Sequence, residues 1–161
     1  PLHHIMRELR RVDRFFLDMY DVMPAVEELC ETLGVLYDDI LDCSVETEAE
    51  VVLFGANYDD TITYPPLFEQ YILPWLNRAA ESVHGKGKFL LTHTDGENRN
   101  LMDLYDRCSF DIADSVCPAP MTKLTAGEYR RRFRERTIWG LVPSVIMLAE
   151  AYSWADFTGF I

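Results

Sequence analysis

The start of the chain alternates apolar and polar residues with the period of a helix. The first apolar stripe, in which residues recur every three to four positions, consists of Ile5, Leu9, Val12, Phe16 and Met19. This spacing predicts an amphipathic helix over residues 2–19. Residues 21–24 interrupt the stripe, and Pro24 suits the first turn of a second helix that is predicted to run to about residue 41.

Short apolar runs replace the helical stripes further along the chain and alternate with stretches of helical spacing. The runs predicted as strands are residues 51–54, 89–91, 110–116 and 138–140. The stretches predicted as the intervening helices are residues 66–84, 98–108 and 125–136. Alternating strands and helices predict a parallel sheet with right-handed crossovers.

Three local signals mark particular helical segments. Pro74 lies inside the helix over 66–84 and predicts a kink, because proline has no amide hydrogen to donate. Thr125 is followed three residues later by Glu128, which is the spacing of a capping box. Ser153 is placed to cap a last helical turn near the end of the chain.

The order of these elements predicts an α/β fold. Strand–helix units of this length fit a (β/α)₈ TIM barrel, but such barrels need about 250 residues and this chain has 161. We therefore predict a partial (β/α)₈ barrel, with about four β/α units preceded by two helices, in a single domain over residues 1–161. The chain begins at Pro1 without a methionine and has no polar tail, so it is expected to be a fragment of a longer protein.

The amino-acid composition and net charge of the chain restrict the kinds of partner that it is expected to bind. Hydrophobic residues make up 48% of the chain and charged residues 26%, which is typical of a globular protein. The formal net charge of -12 argues against binding to nucleic acid or to an anionic membrane, and no apolar run is long enough to span a bilayer. The arginines between residues 130 and 136 are interpreted as a solvated helix face. Four cysteines without CxxC spacing indicate free thiols in a reducing, cytoplasmic compartment.

The run over residues 89–91 is followed by the most informative polar residues. His93, Asp95 and Gly96 come directly after this predicted strand, and ligands of α/β proteins bind at the carboxyl ends of strands. His93 is a candidate metal ligand or proton carrier; the alternative is a histidine that hydrogen-bonds the backbone at a turn. Asp95 could share a ligand with His93 or orient its ring; the alternative is an ordinary turn aspartate before glycine.

Two further groups follow strand ends. Asn57 and Tyr58 could offer hydrogen bonds to a substrate, or could be plain loop residues. Asp59 and Asp60, next in the chain, could bind a cation or act in acid–base chemistry; the alternative is a solvated loop. Cys117 follows the third strand and is either a third, soft metal ligand or a buried thiol.

Several stretches together resemble one known family. They are residues 55–60 (Gly-Ala-Asn-Tyr-Asp-Asp), 64–68 (Tyr-Pro-Pro-Leu-Phe), 71–74 (Tyr-Ile-Leu-Pro), 91–96 (Leu-Thr-His-Thr-Asp-Gly) and 138–144 (Ile-Trp-Gly-Leu-Val-Pro-Ser). In this order and spacing the chain, from about Met6 to its end, resembles the uroporphyrinogen decarboxylase superfamily. The resemblance implies a barrel enzyme that acts either as a decarboxylase of tetrapyrrole acetate groups, without metal or cofactor, or as a corrinoid-dependent methyltransferase that often uses zinc.

The resemblance favours the methyltransferase branch. Zinc members of the family have His-x-Cys-Gly where this chain has His93-x-Asp95-Gly96, which leaves open a His/carboxylate metal site or none. The Ser-Trp-Ala-Gly-like loop of true decarboxylases would fall at residues 57–61, which do not match it. The implied partner is a small molecule or a corrinoid protein, and the implied cofactors are zinc and a corrinoid carried by that partner, or none for a decarboxylase. A non-catalytic binding or structural module is the remaining alternative.

These considerations give a defined set of candidate residues. The predicted catalytic residues are His93, Asp95, Asp59 and Asp60. The predicted substrate-binding residues are Asn57 and Tyr58, and the predicted metal ligands are His93, Asp95 and Cys117.

Overall fold

A computed structural model of the chain describes residues 1–148 and 150–160. These residues divide into two compact units, Pro1–Glu50 and the part of the chain from Val51 onward. The single domain over residues 1–161 stays a prediction.

The first unit consists of helices. Its elements are α1 (Leu2–His4), a π-helical segment (Ile5–Leu9), α2 (Val12–Asp21) and α3 (Met23–Val45). The continuous helix predicted over residues 2–19 is wrong, because the backbone is extended at Arg10 and Arg11. The guanidinium groups of these two residues pair with carboxylates of α2, at Asp18 and Asp13. Pro24 lies in the first turn of α3, as predicted.

The second unit is built on a four-stranded sheet. Its strands are β1 (Val51–Leu53), β2 (Phe89–His93), β3 (Ile112–Val116) and β4 (Thr137–Gly140). The strand order is β1-β2-β3-β4, and every neighbouring pair is parallel. The predicted α/β class with a parallel sheet is therefore confirmed, and each strand lies within two residues of its predicted position.

The helices of this unit follow the strands. They are α4 (Pro65–Leu67), α5 (Leu73–Gly85), α6 (Met102–Tyr105), α7 (Ala126–Arg132) and α8 (Trp154–Phe160), with 3₁₀ turns at Arg99–Leu101 and Ser144–Met147. A π-helical segment, Phe68–Ile72, separates α4 from α5. It ends two residues before Pro74, whose missing amide hydrogen leaves one carbonyl of the preceding turn without its usual donor. The helix predicted over 98–108 is shorter than expected, because its first turn is 3₁₀.

The two faces of the sheet differ in burial. Register pairs Val51 with Phe89 and Leu53 with Leu91, so these side chains share one face. On the opposite face, Val52, Leu90, Thr92 and Ala113 are each no more than 7% exposed, and Ile138 of β4 is partly exposed. The first face carries exposed apolar side chains at Val51, Leu53, Phe89 and Trp139. A parallel sheet is normally covered on both faces, so this exposure is unusual.

An aromatic cluster forms the core beside the buried face. Tyr105 contacts Phe68, Phe110 and Phe133 edge to face, with ring centroids 5.3–5.9 Å apart. Arg136 lies over the ring of Phe110 at 4.2 Å and donates hydrogen bonds to the carbonyls of Tyr105, Cys108 and Phe110. Burial lowers the pKa of this guanidinium. The arginine therefore closes the end of α6 and ties it to Phe110, two residues before β3 begins.

Within the part of the chain that the structure describes, no helix has both the length and the apolar character needed to cross a membrane.

Candidate active site at the carboxyl edge of the sheet

The carboxyl edge, where β1, β2 and β3 end, brings a histidine and an aspartate together. His93 is the last residue of β2, and Asp114 is its register partner on β3. The Nδ1 atom of His93 lies 2.7 Å from Oδ2 of Asp114, and their side chains are 27% and 26% exposed. The two side chains are therefore hydrogen-bonded to each other and still accessible to solvent. His93 was predicted as a site residue, whereas Asp114 was not.

Asp114 is held in place from several directions. The hydroxyl of Ser115 donates to the same Oδ2 atom at 3.0 Å. The backbone N–H and the hydroxyl of Thr94 both donate to the carbonyl of Asp114 at 2.8 Å. The pairing of β3 with β4 shifts register between Asp114 and Val116, and Ser115 between them has φ of +57°. This is a β-bulge with one residue in the left-handed region, a feature often found beside active sites.

Asp95, two residues beyond His93, lies at the mouth of the same edge. Its Oδ1 atom accepts the N–H of Gly96 at 2.9 Å, and its Oδ2 atom is 3.5 Å from the amide nitrogen of Asn57. Gly96 has φ of +105°, and a Cβ at this position would lie 3.3 Å from the Cβ of Asp59. A glycine is needed here because the loops after β1 and β2 pass close to one another. The structure therefore brings the predicted residues Asn57 and Asp95 together.

The carboxylate of Asp59 is used to join these two loops. Its oxygens accept the N–H groups of Thr61 at 2.9 Å and of Glu97 at 3.2 Å. Burial raises the pKa of Asp59, but these backbone donors outweigh burial, so that the pKa lies below its ordinary value. Its predicted part in catalysis stays a prediction, beside this structural role.

Asp60 has a similar position but is more deeply buried. Only 6% of the residue is exposed, and its Oδ2 atom accepts the N–H of Asn100 at 2.8 Å. Its own N–H donates to the carbonyl of Glu97 at 2.7 Å. The solvated loop considered as the alternative for Asp60 does not describe this residue, because it is inside the unit. Its catalytic role also stays a prediction.

Asn98 holds the loop that carries His93 and Asp95, whereas the sequence pattern placed it only at the start of a predicted helix. It is fully buried. Its amide nitrogen donates to the carbonyls of Thr94 and Gly96 at 2.6 and 2.8 Å, and its Oδ1 atom accepts the hydroxyl of Tyr105 at 2.9 Å. An asparagine two residues after an Asp-Gly pair and seven residues before a tyrosine is the sequence feature that marks it, although that feature is weak.

Tyr58 is buried, unlike its predicted partner Asn57. Its side chain is 3% exposed and contacts the ring of Phe68 edge to face at 5.4 Å. The preceding Gly55 has φ of +145°, and a Cβ at this position would collide with the hydroxyl of Thr92. The loop after β1 thus turns inward against β2 at this point. The predicted substrate contact of Tyr58 stays a prediction.

Cys117 follows β3 at the same edge. It is 7% exposed, and its Sγ atom lies 3.3 Å from Sδ of Met121. Burial, and in second place the carboxylate of Asp95, raise the pKa of this thiol, which disfavours the thiolate that zinc requires.

The predicted metal ligands do not assemble into a metal site. Within residues 1–148 and 150–160, no three His, Cys, Asp or Glu side chains converge closely enough to hold an ion. The Nδ1 atom of His93 is bonded to Asp114, and Asp95 is bonded to Gly96. The residues present do not fit the zinc site that the resemblance implies, so zinc has no part in the proposed reactions. The ligand roles of His93, Asp95 and Cys117 stay predictions.

The fold and this edge define an α/β protein whose parallel sheet presents a histidine–aspartate pair at its carboxyl ends. Comparisons of the chain with protein-family models, with curated proteins and with solved structures found no match.

Proposed function

We propose that this chain forms part of the active site of a (β/α)₈ enzyme of the uroporphyrinogen decarboxylase type, in which His93 transfers a proton. The observation that carries the proposal is the 2.7 Å hydrogen bond between His93 and Asp114 at the carboxyl edge. Histidine is the side chain most often used for proton transfer, and catalytic groups of parallel α/β enzymes cluster at this edge.

The strand order supports the barrel. Each strand pairs with the strands next to it in the chain, in the order β1-β2-β3-β4. Barrels have this sequential order, whereas doubly wound sheets reverse direction at a switch point. The exposed apolar face that bears Leu53 and Trp139 corresponds to the side that faces the interior of a closed barrel.

Proton chemistry at His93 fits decarboxylation. When a carboxylate leaves as CO₂, the electron pair of the broken C–C bond stays on the substrate carbon. Protonated His93 would deliver a proton to that carbon through Nε2, and would then regain a proton from solvent. Asn57 and Asp95, which lie beside one another at the mouth, would orient polar groups of the substrate. No metal takes part in these steps.

Methyl transfer is the second candidate, and the loop over residues 57–60 favours it. This loop resembles that of the methyltransferase members, and its Asn57 lies next to Asp95, the residue at the position of the family's cysteine. In this reaction His93 would accept the proton of a thiol acceptor, and the thiolate would take the methyl group from a corrinoid held by a partner protein.

Two assays on the full chain distinguish the candidates. One measures CO₂ release from a porphyrinogen with acetate side chains, and the other measures demethylation of methylcobalamin in the presence of a thiol. His93→Gln is expected to lower kcat of the supported reaction by about 10²–10⁴-fold, the usual contribution of a general acid or base. Circular dichroism should be unchanged.

His84→Gln is the matched control, because His84 also pairs with an aspartate but lies just before β2, away from the carboxyl edge. It should keep the activity. Turnover of neither substrate, or full activity of His93→Gln, would contradict the proposal and leave the non-catalytic module as the better interpretation.

A further inference from the structure

The sheet has one histidine–aspartate pair at the carboxyl ends of its strands and another near their amino ends. The two histidines contact their aspartates through different ring nitrogens. His93 contacts Asp114 through Nδ1 at 2.7 Å, whereas His84 contacts Asp111 through Nε2 at 2.8 Å. Asp111 also accepts the N–H of Leu90 at 2.7 Å, so that it serves to anchor the start of β2. The Asp114 carboxylate is instead directed to the His93 ring and the Ser115 hydroxyl.

We propose that Asp114 is a positioning residue that fixes the tautomer and orientation of His93. An ionised carboxylate can only accept hydrogen bonds, so the Nδ1 atom that contacts it carries the hydrogen in the neutral ring. The lone pair of that ring is then on Nε2, at the far side from Asp114. Nε2 is therefore the atom that meets a ligand at the carboxyl edge. This inference rests on the proposed role of His93.

The bulge in β3 lies beside this arrangement and adds a second contact to Asp114. Ser115 takes a left-handed backbone that serine seldom adopts, and the register with β4 shifts at this residue. Its hydroxyl then reaches back to Oδ2 of Asp114 at 3.0 Å. On the other side, Thr94 donates twice to the Asp114 carbonyl. Both the main chain and the carboxylate of Asp114 are thereby fixed before any ligand arrives.

The ¹⁵N NMR signals of the histidine rings test the inference without an activity assay. At alkaline pH, His93 of the wild-type chain is expected to carry its hydrogen on Nδ1 and to show an unprotonated Nε2. In Asp114→Ala the hydrogen should move to Nε2, because its acceptor at Nδ1 is gone. Asp111→Ala is the matched control, which should change the signals of His84 and leave those of His93 where they were.

Two results would overturn the inference. One is a wild-type His93 with its hydrogen mainly on Nε2, which needs no variant and so does not depend on the variants folding. The other is a folded Asp114→Ala chain, or Asp114→Asn if alanine is not tolerated, in which the His93 tautomer is unchanged.

Kinetics separate this inference from the proposed function. Asp114→Ala should lower kcat of the supported reaction by about 10²–10⁴-fold while KM changes little, because the ring is mispositioned rather than the substrate lost. If His93→Gln abolishes turnover but the NMR test fails, His93 acts without help from Asp114. If the NMR test succeeds and no turnover is found, the positioning stands and the proposed reaction falls.

Discussion

Carboxylates at the carboxyl edge serve different purposes, and their hydrogen bonds distinguish them. Asp114 bonds an imidazole and a hydroxyl, and Asp95 remains beside Asn57 at the mouth. Asp59 and Asp60 instead accept backbone N–H groups within their own loop and from the neighbouring loop. The carboxylates of Asp59 and Asp60 thus hold the two loops together, whereas that of Asp114 contacts the His93 ring.

Replacing Asp59 should therefore affect stability. Asp59→Asn keeps the shape of the side chain but leaves only one oxygen to accept the N–H groups of Thr61 and Glu97. We expect a loss of about 1–2 kcal/mol in the free energy of unfolding, from one bond to a charged acceptor. Urea denaturation at neutral pH measures this. Glu81→Gln, on the exposed side of α5, is the control and should unfold at the wild-type urea concentration.

The difference in unfolding free energy between wild type and Asp59→Asn should also depend on pH, in a direction that the pKa of Asp59 fixes. The pKa of Asp59 is lower in the folded chain than its ordinary value of about 3.9. A carboxylate with a depressed folded pKa stabilises the fold above its unfolded pKa, and this contribution is lost as the pH falls through the folded pKa. The stability difference between wild type and Asp59→Asn should thus be full at neutral pH and shrink below about pH 4. A difference that grows in acid would contradict this assignment.

At the scale of elements, local signals placed helix starts better than helix lengths. The capping box predicted at Thr125 is formed, with Glu128 N–H donating to the threonine hydroxyl and Thr125 N–H donating to the glutamate. The helix itself ends at Arg132 rather than near residue 136. Arg136 is instead buried against Phe110 and donates to three carbonyls. A cap is decided by residues close in sequence, whereas this helix end depends on a distant ring.

The capping box of α7 can be tested by a pair of substitutions. Thr125→Ala removes the hydroxyl that accepts the N–H of Glu128 and should destabilise the chain by about 1 kcal/mol. Thr125→Ser keeps the hydroxyl and should remain close to wild type. Thermal unfolding followed by circular dichroism compares the three proteins. Equal losses in both variants would mean that the methyl group of the threonine, not its hydroxyl, is what matters.

At the scale of the whole molecule, the sheet is the element on which the second unit is organised. Its buried face packs the core, and its other face leaves large apolar side chains in contact with solvent. Both faces of the sheet end at the carboxyl edge, where the strands terminate. This arrangement places His93 and Asp114 on the exposed-face side, since His93 lies on the same face of β2 as Leu91 and Phe89.

Leucine-to-alanine substitutions on opposite faces of the sheet should change the free energy of unfolding by different amounts. Leu90 is fully buried, and Leu90→Ala should lower the free energy of unfolding by about 2–5 kcal/mol through lost burial and a cavity. Leu53 is 61% exposed, and Leu53→Ala should change it by no more than about 0.5 kcal/mol. Chemical denaturation measures both. A large loss in Leu53→Ala would show that its face is covered in solution.

Much of the second unit was predictable, because its signals are local. Short apolar runs marked all four strands, and polar residues directly after them marked the edge. Asp114 was missed because it lies inside the third run, where a lone acid looks like an interruption. Its importance appears only when register sets it opposite His93. The break at Arg10 and Arg11 was missed because neither residue opposes helix formation by itself.

The order of apolar and polar residues by itself determined the α/β class, the parallel sheet and the place where chemistry-bearing groups gather. It did so because burial periodicity and chain connectivity are written in neighbouring residues. Only the tertiary structure decided which acid contacts which partner. A hydrogen bond of 2.7 Å between residues 21 positions apart depends on the register of β2 against β3, which is not encoded in any single stretch.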